Sequence, residues 1–392
     1  EVLARRLVAW PQQPQITLVV LASQAQGPLL AKTLDSLQLQ LYKQWRLIVV
    51  ADFAAPDPLF ENSEVLGWLQ VDHVDQFDDT AKLFNAVLAE VGMDWGMLLP
   101  CGAELEPHAL LRLADRVVQD PNCLALYCDH DSVAMRGYEQ PQFKPAFDLD
   151  MLLAYDYIGA SVLLRADAVQ HLGGLQPYEG FEVYQLLLNL AAHFGPAAIA
   201  NLPELLLHLP AREGKLAMRK LAVEDWLQAS ATPARVELGL AEQTLRVVYP
   251  LAVQPLVSII IPSRNAFEFI EPCINTLFER TAYPHFDVVV VDNQSDDPDV
   301  LRFYEQAIHR FGERLRVVHY DAPFNFSAQI NLGAANARGD YLLLLNNDIE
   351  IVQPDWLERM LQHAVRDGVG AVGAKLLFPE TAKVQHAGIF LG

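Results

Sequence analysis

The stretch FNFSAQINLGAANARGDYLLLLNNDIEI, residues 324–351, decides the fold. Within it the apolar run 341–345 passes without a break into Asn346, Asn347 and Asp348. An apolar strand that ends in a short polar and acidic cluster is the pattern of α/β proteins, which bind ligands outside the carboxyl ends of their strands. A carboxylate there can hold a hard divalent cation, and such a cation neutralises a diphosphate. A solvated acidic turn reads the same way, so this segment alone leaves both open.

Working outward, the chain repeats one plan. ITLVVLASQ from Ile16 and VSIIIPSRN from Val257 are β-branched runs that end in small polar residues. Each precedes a helical pattern, with Leu30, Leu34 and Leu37 in the first and Ile270, Ile274 and Leu277 in the second, the spacing of one helix face. Two further strands, RLIVVAD and DVVVVDN, place Asp52 and Asp292 at their carboxyl ends. Later the offset sets Asn85 against Asn331, Asp94 against Asp340 and Trp95 against Tyr341. Alternating β and α elements predict a mostly parallel sheet with helices on both faces, here in two copies. The copies differ where it matters: Asn346, Asn347 and Asp348 fall on Pro100, Cys101 and Gly102. The second copy also stops where the first has reached about Ala146, so its last third is missing. Between the copies, residues 212–254 read as an amphipathic helix with Leu216, Leu221, Val223 and Leu227, followed by a hairpin.

Bulk properties narrow the classes. The 392 residues allow two or three domains, and 52% hydrophobic residues exclude disorder. No apolar run approaches the ~20 residues of a membrane span. A formal charge of −21 argues against nucleic acid and against broad adhesion to an anionic membrane. Cys101, Cys123, Cys128 and Cys273 form no zinc spacing and read as small buried hydrophobes in a reducing cytoplasm. The absence of an initiator Met and of a signal peptide suggests a piece of something longer.

With these residues in view, the second copy resembles family 2 glycosyltransferases of the GT-A fold, of the kind that build O-antigen and other bacterial surface polysaccharides. The motifs PLVSIIIPSRN, VVVVDNQSDDP, residues 324–351 and VGAVGAKLLFP with VQHAG carry the likeness over 255–392. The first copy resembles the same fold more weakly. The resemblance implies a degenerate GT-A-like domain at 1–211, a helix and hairpin connector at 212–254, and a C-terminally truncated nucleotide-sugar-binding domain at 255–392.

It also implies roles for particular residues. Pro262, Ser263 and Asn265 match the nucleotide pocket, and Asp292 the carboxylate that accepts from base or ribose. Asn331 and Asp340 are expected near the same pocket, although Asn331 would equally cap its helix. Asn346, Asn347 and Asp348 match the DxD-type motif, with Asp348 as ligand to Mg2+ or Mn2+ and Glu350 beside it on the solvated side. With Asn in place of the first acid, metal affinity should fall. His386 matches a recurrent position and is read as structural.

The activity implied is inverting transfer of a sugar from a nucleotide-diphosphate donor to a glycan or lipid-linked glycan acceptor. It implies a cytoplasmic location, or a peripheral one at the inner face of the cell membrane. The catalytic base is expected beyond Gly392. In the first copy, GGLQPYEGFEVYQLLL resembles the stretch that carries such a base, but Val183 and Gln185 stand where acids are usual and Glu182 is one position off. Asp129, His130 and Asp131 fall on a later strand and read as structural, solvated or acceptor-contacting, and His208, with no partner visible in the sequence, is expected to pack. A non-catalytic glycan-binding or scaffolding module is the alternative reading. A nucleotidyltransferase and a dehydrogenase are disfavoured, because no Gly-rich phosphate loop or GxGxxG follows either opening strand.

Overall fold

The computed structural model of the chain describes residues 10–60, 63–74, 79–211 and 214–388. Arg212 and Gly392, which bound the connector and the second copy in the sequence reading, lie outside the described residues. The chain divides into two compact units, Glu1–Val248 and Tyr249–Gly392.

The first unit is built on a nine-stranded sheet. Its strands are β1 (Ile16–Ala22), β2 (Trp45–Ala51), β3 (Leu66–Gln70), β4 (Trp95–Pro100), β5 (Glu104–Leu105), β6 (Ala125–Ala134), β7 (Gly137–Gln142), β8 (Leu163–Arg165) and β9 (Ile199–Leu209). Their order is β3-β2-β1-β4-β8-β6-β9-β5, with β7 on β6. The first four strands are parallel, and the antiparallel β8 joins β4 to β6.

The helix Leu216–Ala229 and the strands β10 (Arg235–Leu238) and β11 (Leu245–Val248) fall within this unit. The Trp226 indole donates to the Leu188 carbonyl at 3.0 Å, which ties the helix to its neighbour Glu182–Phe194. Its buried face is not quite the one the sequence suggests. Leu221 is exposed, while Arg219 is buried and its guanidinium donates to the Gln243 carbonyl at 2.6 Å.

The second unit has four parallel strands, β12 (Val257–Ser263), β13 (Phe286–Asp292), β14 (Leu315–His319) and β15 (Tyr341–Leu344), in the order β14-β13-β12-β15. A parallel strand covered on both faces reads as a near-continuous apolar run, and all seven residues of β13 are buried, Asp287 and Asp292 included. Helices Phe267–Arg280 and Pro298–Phe311 cover one face through Ile270, Ile274, Leu277, Val300 and Phe303. Helix Phe326–Ala335 covers the other, over Ile260, Val289 and Val291.

Both units share the strand order third, second, first, fourth, and both repeat two side-chain ties at the amino edge of that sheet. Tyr42 donates to the Pro14 carbonyl at 2.8 Å and Tyr283 to the Pro255 carbonyl at 2.6 Å. Asp94 accepts from the Gln15 N–H and Asp340 from the Leu256 N–H.

Two glycines let the second sheet close. A Cβ on Gly333 would stand 2.4 Å from Ile260 Cγ2, so the helix lies against the sheet only without one. A Cβ on Gly339 would meet the Ser258 nitrogen at 2.5 Å and the Leu256 carbonyl at 2.7 Å, which are backbone atoms with no rotamer to yield. We therefore expect Gly339→Ala to destabilise the second unit by ~1–3 kcal/mol. The check is chemical denaturation followed by a probe in that unit, and an unchanged midpoint would refute this account of the close approach.

Candidate functional site

Because β12, β13 and β15 run parallel, their carboxyl ends meet at one edge. Ser263 pairs in register with Asp292, and the ladder extends from β15 to the Leu345 N–H, which donates to the Ile260 carbonyl at 3.0 Å. A pocket of about 240 Å³ opens there. Pro262, Ser263 and Arg264 line it from the end of β12, and Asn293 from the end of β13. Phe324, Phe326 and Gln329 contribute from the helix Phe326–Ala335 and its approach, and Asn346 and Asn347 from beyond β15.

Hydrogen bonds hold this rim in place. The Asn347 amide donates to Ser263 Oγ at 3.1 Å, joining two strand ends. Asn293 is buried, and its amide donates to the carbonyls of Tyr320 and Ala322 at 3.1 and 2.9 Å. Its Oδ1 accepts from Gln329 Nε2 at 3.3 Å. Asn265 sits at φ 49° and Ala266 at φ 55°, left-handed positions that Asn tolerates better than most residues. The Asn265 amide donates to Asp296 Oδ1, and its Oδ1 accepts from the N–H groups of Asp296 and Asp297. It therefore fastens the loop after β12 to the loop after β13 rather than lining the pocket.

Asp292 is 2% exposed, in register with Ser263 and next to the pocket-lining Asn293. Its Oδ2 accepts from the Ser295 N–H at 3.2 Å and lies 3.6 Å from His319 Nδ1. Its Oδ1 has no hydrogen-bond partner. The Tyr304 hydroxyl, next to Asp292 and Ser263, is also buried without a partner of normal geometry, and burial pushes it up to about 12. Asp348 is exposed in the turn after β15, with Glu350 exposed just beyond it. Among the described residues no group of three or more His, Cys, Asp or Glu is arranged to hold a metal ion.

The structure brings Pro262, Ser263, Asn346 and Asn347 together, with Asn265, Asp292 and Asp348 adjoining them. It does not bring Asp340 or Asn331. Asp340 precedes β15 and bonds the nitrogen that leads into β12, so it stands at the amino edge of the sheet, opposite the pocket. Asn331 is exposed on its helix, about 200° around from the pocket-lining Gln329. Nor does Asn331 cap the helix, since Asn325 does so by accepting from the Ala328 N–H at 3.0 Å. In the first unit, Asn85 uses both ends of its amide on the backbone of Leu175, at 2.8 Å each. His386 lies on the strand Val384–His386, paired with Leu376–Leu377.

Sequence reasoning missed Arg264, Asn293, Phe324, Phe326 and Gln329. Arg264 and Asn293 adjoin residues that the motifs did pick out, and Phe326 and Gln329 share a helix face at a spacing of three.

In the first unit the corresponding edge is closed. Cys101 and Gly102 are buried, and a Cβ on Gly102 would meet Leu29. Asp52 accepts from the Gln24 N–H at 2.8 Å, and Gln26 folds back on the Ser23 N–H at 3.0 Å. Asp129 and Asp131 are buried rather than solvated. Asp129 accepts from the Lys144 N–H, and Asp131 lies 2.6 Å from His208 Nδ1. His208 thus has partners: Glu106 stands 3.3 Å from Nε2, and the Tyr138 ring stacks on it at 3.6 Å. Glu182 is buried and accepts from the Gly180 N–H. The four cysteines are free and buried.

Residues 258–384 match the family model described as glycosyl transferase family 2. The O-antigen biosynthesis protein RfbC of Myxococcus xanthus is 32% identical over 400 residues, covering 97% of this chain and 31% of that protein. The putative teichuronic acid biosynthesis glycosyltransferase TuaG of Bacillus subtilis is 32% identical over 111 residues, covering 28% of this chain and 42% of that one. Among solved structures, S. aureus TarS 1–349 in complex with UDP overlaps 54% of this chain and 65% of that one, at 12% identity and a TM-score of 0.42. The chain spans less than half the length of these two relatives. Its second unit is a glycosyltransferase domain of family 2.

Asp340→Ala separates edge from pocket. It should cost ~0.5–1.5 kcal/mol of stability, the worth of one hydrogen bond, and leave nucleotide affinity unchanged. Weaker nucleotide binding by a variant of unaltered stability would return Asp340 to the site.

Proposed function

We propose that the second unit holds the nucleotide-sugar donor of an inverting glycosyltransferase that extends a bacterial surface glycan. The observation that carries this reading is the amide-rich pocket at the carboxyl edge of β12, β13 and β15, inside the family 2 domain. Ser263, Gln329, Asn346 and Asn347 offer neutral donors and acceptors suited to ribose, base and phosphate oxygens, and Asn293 holds the wall between them. The unpaired Oδ1 of the buried Asp292 calls for a donor, and a base N–H or ribose hydroxyl is one. Pro262 shapes the wall, and Asn265 holds the loop that carries it.

Asp348, with the neutral oxygen of Asn346 nearby, fits Mg2+ or Mn2+ as a single charged ligand, a cation that would depend on substrate oxygens for the rest of its shell. When bound, that cation supplies charge neutralisation at the departing diphosphate. No residue lining the pocket is a carboxylate or histidine that could take the acceptor's proton. Transfer therefore requires a base from elsewhere in the protein, and general-base help alone is worth ~10²–10⁴-fold. The 1–392 chain should bind donor and transfer little or no sugar.

We read the acceptor as a glycan or lipid-linked glycan, met in the cytoplasm or at the inner face of the membrane; the relatives' names, O-antigen and teichuronic acid biosynthesis, support the glycan. Among the described residues no helix is long and apolar enough to cross a membrane. We read the two units as copies of one domain, from their common strand order and shared amino-edge ties. The first unit serves as a scaffold or glycan-binding module, a reading favoured by the buried Cys101-Gly102 end, which offers no carboxylate, and by Val183 in place of an acid.

Calorimetry of the whole chain with UDP and GDP, with and without Mn2+, tests the reading. Asp348→Ala should remove most of the metal enhancement, and Asp292→Ala should weaken nucleotide binding by ~10-fold with or without metal, about the worth of one hydrogen bond to a charged group. If both variants bind as the parent does, the site is misplaced.

A further inference from the structure

The donor pocket carries one formally charged lining residue, and it is a cation. The polar groups from Ser263, Asn293, Gln329, Asn346 and Asn347 are neutral, so Arg264 is the charged group of the lining, with the carboxylates of Asp292 and Asp348 adjoining it. Arg264 is exposed and has no ion-pair or hydrogen-bond partner among the described residues. It is free in a chain with 49 acidic and 28 basic side chains. Glu268, four residues on, is exposed and makes no ion pair with it among the described residues, and the acids at the end of β13 and in the loop after it are engaged elsewhere. Asp296 accepts from Asn265, and Asp297 accepts from the Asp299 N–H at the start of its helix. Asp292 Oδ2 accepts from the Ser295 N–H.

The opposite arrangement holds for the metal. One acidic position of the motif is Asn346, and Asn347 is tied to Ser263, which leaves the exposed Asp348 as the carboxylate of the cluster. A single carboxylate holds a hard cation weakly, since affinity falls with the count of charged ligands. A diphosphate needs its charge met by something, and a planar guanidinium can donate to two phosphate oxygens at once. The exposed rings of Phe324 and Phe326 offer an apolar face for the base or sugar, which leaves the guanidinium free for the charged end.

We infer that Arg264 is the protein's own counter-charge to the donor diphosphate, so that this site retains a nucleoside diphosphate without a divalent cation. The inference rests on the donor-site reading above and deepens it.

Binding of UDP, GDP and the corresponding nucleosides to the whole chain, in EDTA and in Mn2+, tests it with the parent, Arg264→Gln and Arg264→Lys. The parent should keep its diphosphate affinity in EDTA to within about tenfold of the Mn2+ value. In EDTA, Arg264→Gln should lose ~10-fold or more for the diphosphate and nothing for the nucleoside, the size of one lost charge-assisted contact. Arg264→Lys should fall between the parent and Arg264→Gln, because it keeps the charge and loses the two-pronged geometry. Loss of all parent binding in EDTA, with tight binding in Mn2+, would overturn the inference and leave the donor site standing. Parent-like binding by Arg264→Gln in EDTA, or an equal loss for the nucleoside, would do the same. If neither nucleotide binds the parent under either condition, the donor-site reading falls together with this one.

Discussion

Parallel pairing of β12 with β13 on one side and β15 on the other is the constraint from which the rest follows. Three strands that run the same way must end together, and the side chains just past those ends must share one edge. Full burial of β13 and nearly full burial of β12 hold the register, because a slip by one residue would turn polar strand ends such as Ser263 and Asp292 out of place. The close approaches at Gly333 and Gly339 press the covering helix and the entry to β15 onto that register. The pocket exists because these contacts leave the carboxyl edge as the part of the sheet that no helix covers.

The same scaffold carries two different edges. In the second unit β15 gives way to exposed and half-buried amides and a carboxylate, and the loops after β12 and β13 are clamped together by Asn265. In the first unit β4 continues into a buried Cys101 and Gly102 against Leu29, and Gln24 and Gln26 use up the donors and acceptors of the opening turn. Farther along, His208 is held between Asp131 and Glu106 and roofed by Tyr138. At the carboxyl edge of the second unit, Asp292 Oδ1 and Arg264 are left with capacity to spare. Capacity of that kind is what a ligand needs.

The mostly parallel α/β sheet was legible in the sequence, because β-branched runs bounded by small polar residues have few other solutions. The pocket residues at strand ends were legible for the same reason: position along a buried strand fixes which edge a residue reaches. Asp340 shows the limit of that logic. It precedes its strand, so it belongs to the amino edge, and proximity in sequence to Asn346 says nothing of the length of strand between them. Asn331 shows another, since a helix turns about 100° per residue and a polar side chain two places from Gln329 faces away. The partners of His208 lie 77 and 102 residues away in sequence, and no local pattern announces them. Arg264 was visible in the PSRN run, but its freedom from partners is a property of the folded chain alone.

The central claim is that the nucleotide site belongs to the second unit and sits at the carboxyl edge of its sheet. Hydrogen exchange of the whole chain, measured by mass spectrometry with and without saturating UDP or GDP, tests this most directly. The account expects slower exchange in 262–266, 292–296, 324–330 and 345–349, with the first unit unchanged. Protection confined to 22–27, 51–54 and 100–103 would place the site in the first unit and contradict it.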